Sequence, residues 1–290
     1  MNKLKAHAFG KINLCLEVLA KRDDGYHEVR SVIRSVDIKD EIEVSRSNDL
    51  RLSCDSPNIQ GEANLAFHAA RLIQNVGGNM DGASIKIVKG IPISSGFGGG
   101  SSDAAAVLVL LNRLWDLNLS NDSLRELGSQ IGSDVPFFIE GGTAFVSGRG
   151  EIVRVLAPPQ EAVFLLVSPG IEIENKTSNM YSLLTSLDFT KGGLSRKLEA
   201  RIRQGGDVPT QLLFNVFQEV AISNNPQLSE VVEAIKACGA KEVFLSGSGP
   251  GLFTPVKDLK TAGILKILLE HKYGITSFVT QSCDSGSTIK

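Results

Sequence analysis

Little in this 290-residue sequence marks a specialised environment. Its four cysteines, Cys15, Cys54, Cys238 and Cys283, are scattered without C-x-x-C spacing. That excludes a dense disulfide framework and a cysteine-ligated metal centre, and it suits reduced thiols in the cytoplasm. The formal net charge is only -2, so the basic bias that a nucleic-acid partner draws on is missing. The longest apolar run, residues 104–111, is far short of the roughly 20 residues a membrane span needs. The first apolar run, residues 12–20, carries Glu17 and lacks the cleavage site of a secretory leader. Neither a nucleic-acid nor a membrane partner is expected. Glycine, by contrast, is abundant, and it is concentrated around residues 96–100 and 247–249.

Strand-like and helix-like segments alternate without an internal repeat. Ile12, Leu14, Leu16 and Val18 share one face of a strand, and Lys11, Asn13, Cys15 and Glu17 the other. Asp24-Gly25 marks a turn. Residues 26–36 then read as a second strand and 41–44 as part of a third. Residues 62–76 read as a helix, with Leu65, Ala69, Leu72 and Val76 at spacings of three and four, closed by Gly77-Gly78. A strand at 84–88 leads into the glycine loop, and a buried helix follows at 102–115. Ser120 caps another helix that ends near Gly132. Residues 137–139 and 144–147 are expected to form a hairpin about Gly141-Gly142. Pro158-Pro159 breaks the chain, dividing it into units of residues 1–157 and 158–290. Beyond the break, strands are expected at 162–168, 242–245, 252–256 and 275–280, and helices at 212–222, 227–237 and 259–269. This mixture of hairpins and helices predicts an α+β fold rather than a parallel doubly wound sheet.

The loop Gly96-Phe97-Gly98-Gly99-Gly100-Ser101-Ser102 stands directly before a predicted helix. A helix start leaves about four N–H groups without internal partners and carries partial positive charge, which together bind anions. Glycines let an anion approach without Cβ interference. Two familiar phosphate loops do not fit. No lysine follows as G-x-x-x-x-G-K-[ST] requires, and Ser101 stands where G-x-G-x-x-G needs its last glycine.

A different pattern matches: P-x-x-x-G-[FL]-G-x-x-S-S-x-A-A, at Pro92, Gly96, Phe97, Gly98, Ser101, Ser102, Ala104 and Ala105. It resembles the phosphate-binding motif of the GHMP kinase superfamily. The triple glycine Gly98-Gly99-Gly100 is similar to the form in the 4-diphosphocytidyl-2-C-methyl-D-erythritol kinases of the non-mevalonate isoprenoid pathway. Further resemblances run along nearly the whole chain: Gly10-Lys11-Ile12-Asn13-Leu14, Asp24-Gly25-Tyr26-His27-Glu28, Asn64-Leu65, Gly132-Ser133-Asp134-Val135-Pro136-Phe137-Phe138 and Leu245-Ser246-Gly247-Ser248-Gly249-Pro250.

The resemblance implies a two-domain GHMP kinase fold with its active site in the cleft between domains. It implies ATP with Mg²⁺, and transfer of the γ-phosphoryl group to the 2-hydroxyl of a small-molecule acceptor, 4-diphosphocytidyl-2-C-methyl-D-erythritol. Monomer and homodimer stay open. Pro92, Gly96, Gly98, Gly99, Gly100, Ser101, Ser102 and Asn64 would bind ATP, and Ser101 or Ser102 would meet phosphate or Mg²⁺. Ser102 and Asn64 also suit plain helix N-caps. Asp134 is the candidate general base, with a turn or cap role as its alternative. Aspartate is a weak base for an alcohol, so positioning is its expected contribution, with Lys11 beside it on the transferring group. Asn13, Tyr26 and His27 would bind substrate, the tyrosine stacking on cytosine and the histidine reading its polar edge. Tyr181 would supply the second ring and Thr177 a contact to the substrate backbone. Here the chain departs from the family, reading Glu174-Asn175-Lys176-Thr177 where G-V-S-T is usual. Residues 246–249 would close over the site, or form a turn between strands. The rival readings are a GHMP kinase acting on homoserine, mevalonate or a sugar, and a non-catalytic binding protein. The Asp-Gly-Tyr-His run argues against a small polyol, and Lys11 with Asp134 argues against a pure binder.

Overall fold

The alternation at residues 12–18 belongs to a much longer strand in the computed structural model, which describes residues 3–76, 78, 82–171 and 176–289. Gly77, Glu174 and Asn175 lie outside the described residues. In chain order the elements are β1 Lys3–Lys21, β2 His27–Ser47, β3 Arg51–Cys54, α1 Leu65–Val76, β4 Gly82–Val88, α2 Gly99–Leu114, α3 Asn121–Ile131 and α4 Val135–Glu140. They continue with β5 Thr143–Gly148, β6 Ile152–Leu156, β7 Val163–Ser168, α5 Lys176–Leu183, α6 Gly193–Arg203, β8 Phe214–Asn215 and α7 Phe217–Asn224. The last are α8 Pro226–Ala237, β9 Phe244–Leu245, β10 Leu252–Val256, α9 Leu259–Tyr273, β11 Thr276–Gln281 and β12 Ser287–Ile289. Among the described residues, no helix is long and apolar enough to cross a membrane.

Two sheets carry the α+β fold. The larger runs β12-β1-β2-β4-β3, with β5 also on β2, β6 on β5 and β8 on β1. The smaller is β11-β7-β10-β9. β2 serves two neighbours along its length: Val29–Arg34 pairs with β5, and Glu41–Ser47 with β4. The expected second and third strands are therefore one. Antiparallel pairing with β1 carries the chain through residues 37–40, absorbed by a register shift at Phe9/Gly10.

The expected strand at 137–139 is instead part of helix α4. Val135, Phe137, Phe138 and Ile139 are all buried, and so short an apolar run has no period that separates strand from helix. Pro136 in the first turn suits a helix. The expected helix at 212–222 is split. A single 3₁₀ turn at Thr210–Leu212 leads into β8, which pairs parallel to β1 before α7 begins. Helix α6 was not among the expected elements, although Leu194, Leu198 and Ile202 recur every four residues along its packed face; α5 and the last strand, β12, carry no clear periodic signal.

Among the described residues, three apolar clusters fill the molecule. One packs α1–α4 on the larger sheet, and another packs α7–α9 on the smaller. The third joins the sheets through Ile12, Leu14, Val32, Phe97, Phe164, Leu166 and Phe253. Arg34 reinforces this junction. It is 2% exposed, and its guanidinium donates to Thr143 Oγ1, the Pro159 carbonyl and Ser282 Oγ. Glu17, expected on a polar strand face, is buried as well. Its carboxylate accepts from the backbone and hydroxyl of Ser195 in the first turn of α6, at 2.8 and 2.6 Å, the charge sign a helix start favours.

Candidate active site

β1 forms the floor of the cleft. Its alternation is broken where Asn13 pairs with Ile33 and Cys15 with Val32, leaving Leu14 extra. Such a bulge re-aims neighbouring side chains. Cys15 joins Ile12 and Leu14 in one apolar cluster, while Lys11 and Asn13 line the cleft although only 3% and 5% exposed. Lys11 Nζ donates to Asn13 Oδ1 at 2.5 Å, Asn13 Nδ2 to Ser31 Oγ at 2.9 Å, and Ser31 Oγ to the Cys15 carbonyl at 2.7 Å. This chain holds the ammonium in place.

The glycine loop is tied to the same strand, because the Lys11 N–H donates to the Phe97 carbonyl at 2.9 Å. Gly98, not Ser102, is the N-cap of α2, in the left-handed region at φ 80°. A Cβ there would come within 2.6 Å of Phe138 and 3.0 Å of Lys11 Cγ. Ser102 lies inside the first turn, fully buried, and its hydroxyl donates to the Phe9 carbonyl at 2.7 Å. This corrects its N-cap alternative, and its hydroxyl proton is engaged. Ser101 faces the cleft.

A buried ionic group fixes the entry to this loop. Lys89 bridges Asp40 and Asp103, and Asp40 Oδ1 accepts from the Gly90 and Ile91 N–H groups at 2.7 and 2.8 Å. Burial, then the neighbouring Asp40 carboxylate, pushes the Asp103 carboxyl well above its ordinary range. Pro92 follows directly.

Asn64 accepts from the Ala66 N–H at 2.9 Å and donates to the Ile59 carbonyl at 3.0 Å. It performs the N-cap role while also lining the cleft. Asp134 stands at the N-cap position of α4 yet makes no capping hydrogen bond. Its side chain is 38% exposed, and Oδ2 lies 3.5 Å from Lys11 Nζ.

Residues 246–251 close the loop from the other sheet. Ser246 Oγ donates to the Gly96 carbonyl at 3.1 Å, and the Gly251 N–H to the Ser95 carbonyl at 2.7 Å. Asn215 Nδ2 grips this segment by donating to the Leu245 and Gly247 carbonyls, both at 2.8 Å. At the start of α5, Thr177 and Ser248 share a hydroxyl–hydroxyl hydrogen bond of 3.1 Å, and Lys176 Nζ donates to the Ser94 carbonyl at 2.9 Å.

These elements enclose two adjoining cavities. The smaller, about 340 Å³, is lined by Asn64, Pro92 and the glycine loop. The larger, about 1210 Å³, is lined by Asn13, Tyr26, His27, Tyr181 and Arg149. Lys11, Ser101, Asp134, Lys176, Thr177, Gly247 and Ser248 belong to both. Among the described residues, the larger cavity carries Lys11, Lys21, Arg149 and Lys176 against the one carboxylate of Asp134. Its aromatic wall is arranged differently from the expected pair of facing tyrosines. His27 stacks on Tyr181 with centroids 4.8 Å apart, while Tyr26, 53% exposed, lies under the Arg149 guanidinium at 4.7 Å. Burial, with some help from Lys21, lowers the His27 pKa, which favours the neutral ring. Burial raises that of Tyr181.

Asn215, Lys89, Asp40, Asp103, Arg149 and Lys176 join the site without having been expected from the sequence. Asn215 fell inside an expected helix. The acidic pair comes from distant elements and left no local signal. Lys176 was visible only as a departure from the family pattern.

The model of the GHMP kinases N terminal domain matches residues 64–142, and that of the GHMP kinases C terminal domain residues 200–266. A 4-diphosphocytidyl-2-C-methyl-D-erythritol kinase of Dehalococcoides mccartyi is 42% identical over 253 residues, covering 87% of this chain and 89% of its own. Its counterpart from Clostridium perfringens is 34% identical over 98% of this chain and 100% of its own. A crystal structure of a 4-(cytidine 5'-diphospho)-2C-methyl-D-erythritol kinase superposes with a TM-score of 0.80 at 29% identity, covering 96% of this chain and 98% of that one. The two cavities, their common wall and these likenesses lead to one assignment: the chain belongs to the 4-diphosphocytidyl-2-C-methyl-D-erythritol kinase family of the GHMP kinases.

Proposed function

We propose that this protein transfers the γ-phosphoryl group of ATP to the 2-hydroxyl of 4-diphosphocytidyl-2-C-methyl-D-erythritol, in a cleft between units of residues 1–157 and 158–290. The observation that carries the reading is the common wall of the two cavities, where Lys11 and Asp134 meet. Phosphoryl transfer needs positioning and charge neutralisation more than covalent chemistry. ATP lies in the smaller cavity, its phosphates on Gly96, Gly98, Gly99 and Gly100 and the start of α2, and its base near Asn64 and Pro92. The acceptor lies in the larger cavity with its 2-hydroxyl at Asp134. The new O–P bond forms as the bond from the γ-phosphorus to the ADP oxygen breaks, and the hydroxyl proton passes to the Asp134 carboxylate. Lys11 stabilises the charge on the transferring group.

The cationic lining of the larger cavity suits a diphosphate, and its aromatic wall suits a flat base, which stacks on π-faces. Neutral His27 offers one donor and one acceptor to the cytosine rim. Tyr26, Tyr181, Asn13 and Thr177 complete the acceptor site. Homoserine, mevalonate and sugars make no use of either feature.

Mg²⁺ takes few protein ligands and keeps waters and phosphate oxygens. The Ser101 hydroxyl on the common wall fits that demand, whereas Ser102 is fully buried and lines neither cavity. Ser101 would hold the ion there, and its charge would offset that of the phosphates.

A coupled ADP-release assay with Mg-ATP tests the reading, offering the cytidyl acceptor beside mevalonate, homoserine and galactose. Turnover on the cytidyl acceptor alone is expected. Turnover on another alcohol instead would discard the cytidine pocket.

A further inference from the structure

Two ammonium groups, not one, stand on the common wall of the cavities. Lys11 is held from below by Asn13. Lys176 enters from the other side, at the start of α5, and its described hydrogen-bond partner is the Ser94 carbonyl. An ammonium has three donors, so this contact leaves capacity for a ligand. Ser94 has a left-handed backbone, φ 54°, rare for a residue with a side chain and a conformation that gathers at ligand clamps. Thr177, the next residue, bonds across to Ser248. The start of α5 therefore touches both loops that flank the glycine-rich segment.

We propose that Lys176 binds the γ-phosphoryl group of ATP opposite Lys11, as a second cation of the transfer site. The inference rests on the kinase reading above and goes beyond it, since neither the motifs nor the resemblance gives Lys176 a role. Its placement is selective. Lys176 lines both cavities, and the group that passes from one to the other is the phosphoryl. Lys11 and Asp134 both act electrostatically on Lys176, and burial with the Lys11 charge lowers its pKa to about 8, against the opposing pull of Asp134. An ammonium made costly by burial and by a like charge gains most when a phosphate anion arrives. Lys176 would thus distinguish ATP from ADP and couple nucleotide binding to the docking of α5.

The test compares wild type with Lys176→Met and Lys176→Arg by calorimetric titration of ADP and of a non-hydrolysable ATP analogue, followed by kinetics on the cytidyl acceptor. Thermal melts confirm folding. For Lys176→Met, affinity for the ATP analogue should fall about tenfold or more, the scale of a charge-assisted hydrogen bond, while ADP affinity holds. The kcat should fall by a similar factor, and Lys176→Arg should restore part of both. An unchanged ratio of analogue to ADP affinity overturns the proposal. So does a rise confined to the acceptor KM, which would place Lys176 on the acceptor diphosphate. If wild type fails to phosphorylate the cytidyl acceptor, the kinase assignment fails, while the nucleotide titrations still decide Lys176.

Discussion

Gly96 and Ser246 interlock the two glycine-rich segments. The Ser246 hydroxyl donates to the Gly96 carbonyl, and a Cβ on Gly96 would stand 2.3 Å from the Ser246 carbonyl oxygen. With φ at 87°, Gly96 also adopts a backbone that costs a side-chain-bearing residue about 1–2 kcal/mol. Gly96→Ala must therefore move one loop off the other. The expected outcome is a KM for ATP raised about tenfold or more, with the KM for the cytidyl acceptor much less affected. Initial-rate kinetics with each substrate varied in turn check it.

Lys89 stands between two buried carboxylates, and its single charge offsets only one of them. Lys89→Met should destabilise the fold by about 3–5 kcal/mol, the usual consequence of breaking a buried ion pair. The loss should be smaller in acid. Loss of the ammonium pushes the already raised Asp103 carboxyl further up, so the folded state holds a proton that the unfolded chain releases above about pH 4, and stability falls more steeply as pH rises. Urea unfolding at several pH values measures this.

The aromatic wall should serve one substrate only. Tyr181→Ala removes the ring stacked on His27 and is expected to raise the acceptor KM about tenfold, within the range for losing a base-stacking partner, with little change in the KM for ATP. Competition by cytidine diphosphate should weaken in parallel. Equal effects on both substrates would mean that the ring supports the cleft in general.

Lys176 predicts a pH signature. Among the described residues, Lys11 and Asp134 are the charged groups acting on it, and burial with the Lys11 charge lowers its pKa to about 8. In kcat/KM for ATP, which reports the free enzyme, activity should decline as pH rises through about 8 and the ammonium is lost. Lys176→Met should flatten that limb at a lower plateau. The stability sign is opposite. The unfolded chain binds the proton more tightly, so this group's contribution to stability rises with pH from about 8 toward the ordinary lysine value of about 10.4.

Features governed by backbone rules were legible in the sequence. The glycine loop before a helix, the Ser120 cap and the strand at Val163–Ser168 follow from local chemistry. Asp134 was legible as a loop carboxylate, but its lack of a capping bond depends on how the folded turn aims its side chain. What stayed hidden depends on partners far apart in the chain. Asn215 grips residues 245–247 from β8, Lys89 joins carboxylates from β2 and α2, and β8 and β12 exist because β1 offers them edges. No window of neighbouring residues encodes such contacts. The bulge at Leu14 also defeats strict alternation, which is how Cys15 reaches the apolar side.

The most direct test of the account is single-turnover phosphoryl transfer from ATP to the cytidyl acceptor by wild type and Asp134→Asn, with nucleotide and acceptor binding measured on both. The carboxylate and Lys11 meet at the wall between the cavities, and the substitution keeps shape while removing the proton acceptor. The expected result is near-normal binding of both substrates and a transfer rate lower by about 10²–10⁴-fold, the usual contribution of general acid–base catalysis. Transfer at near the wild-type rate would contradict it and move the chemistry away from Asp134.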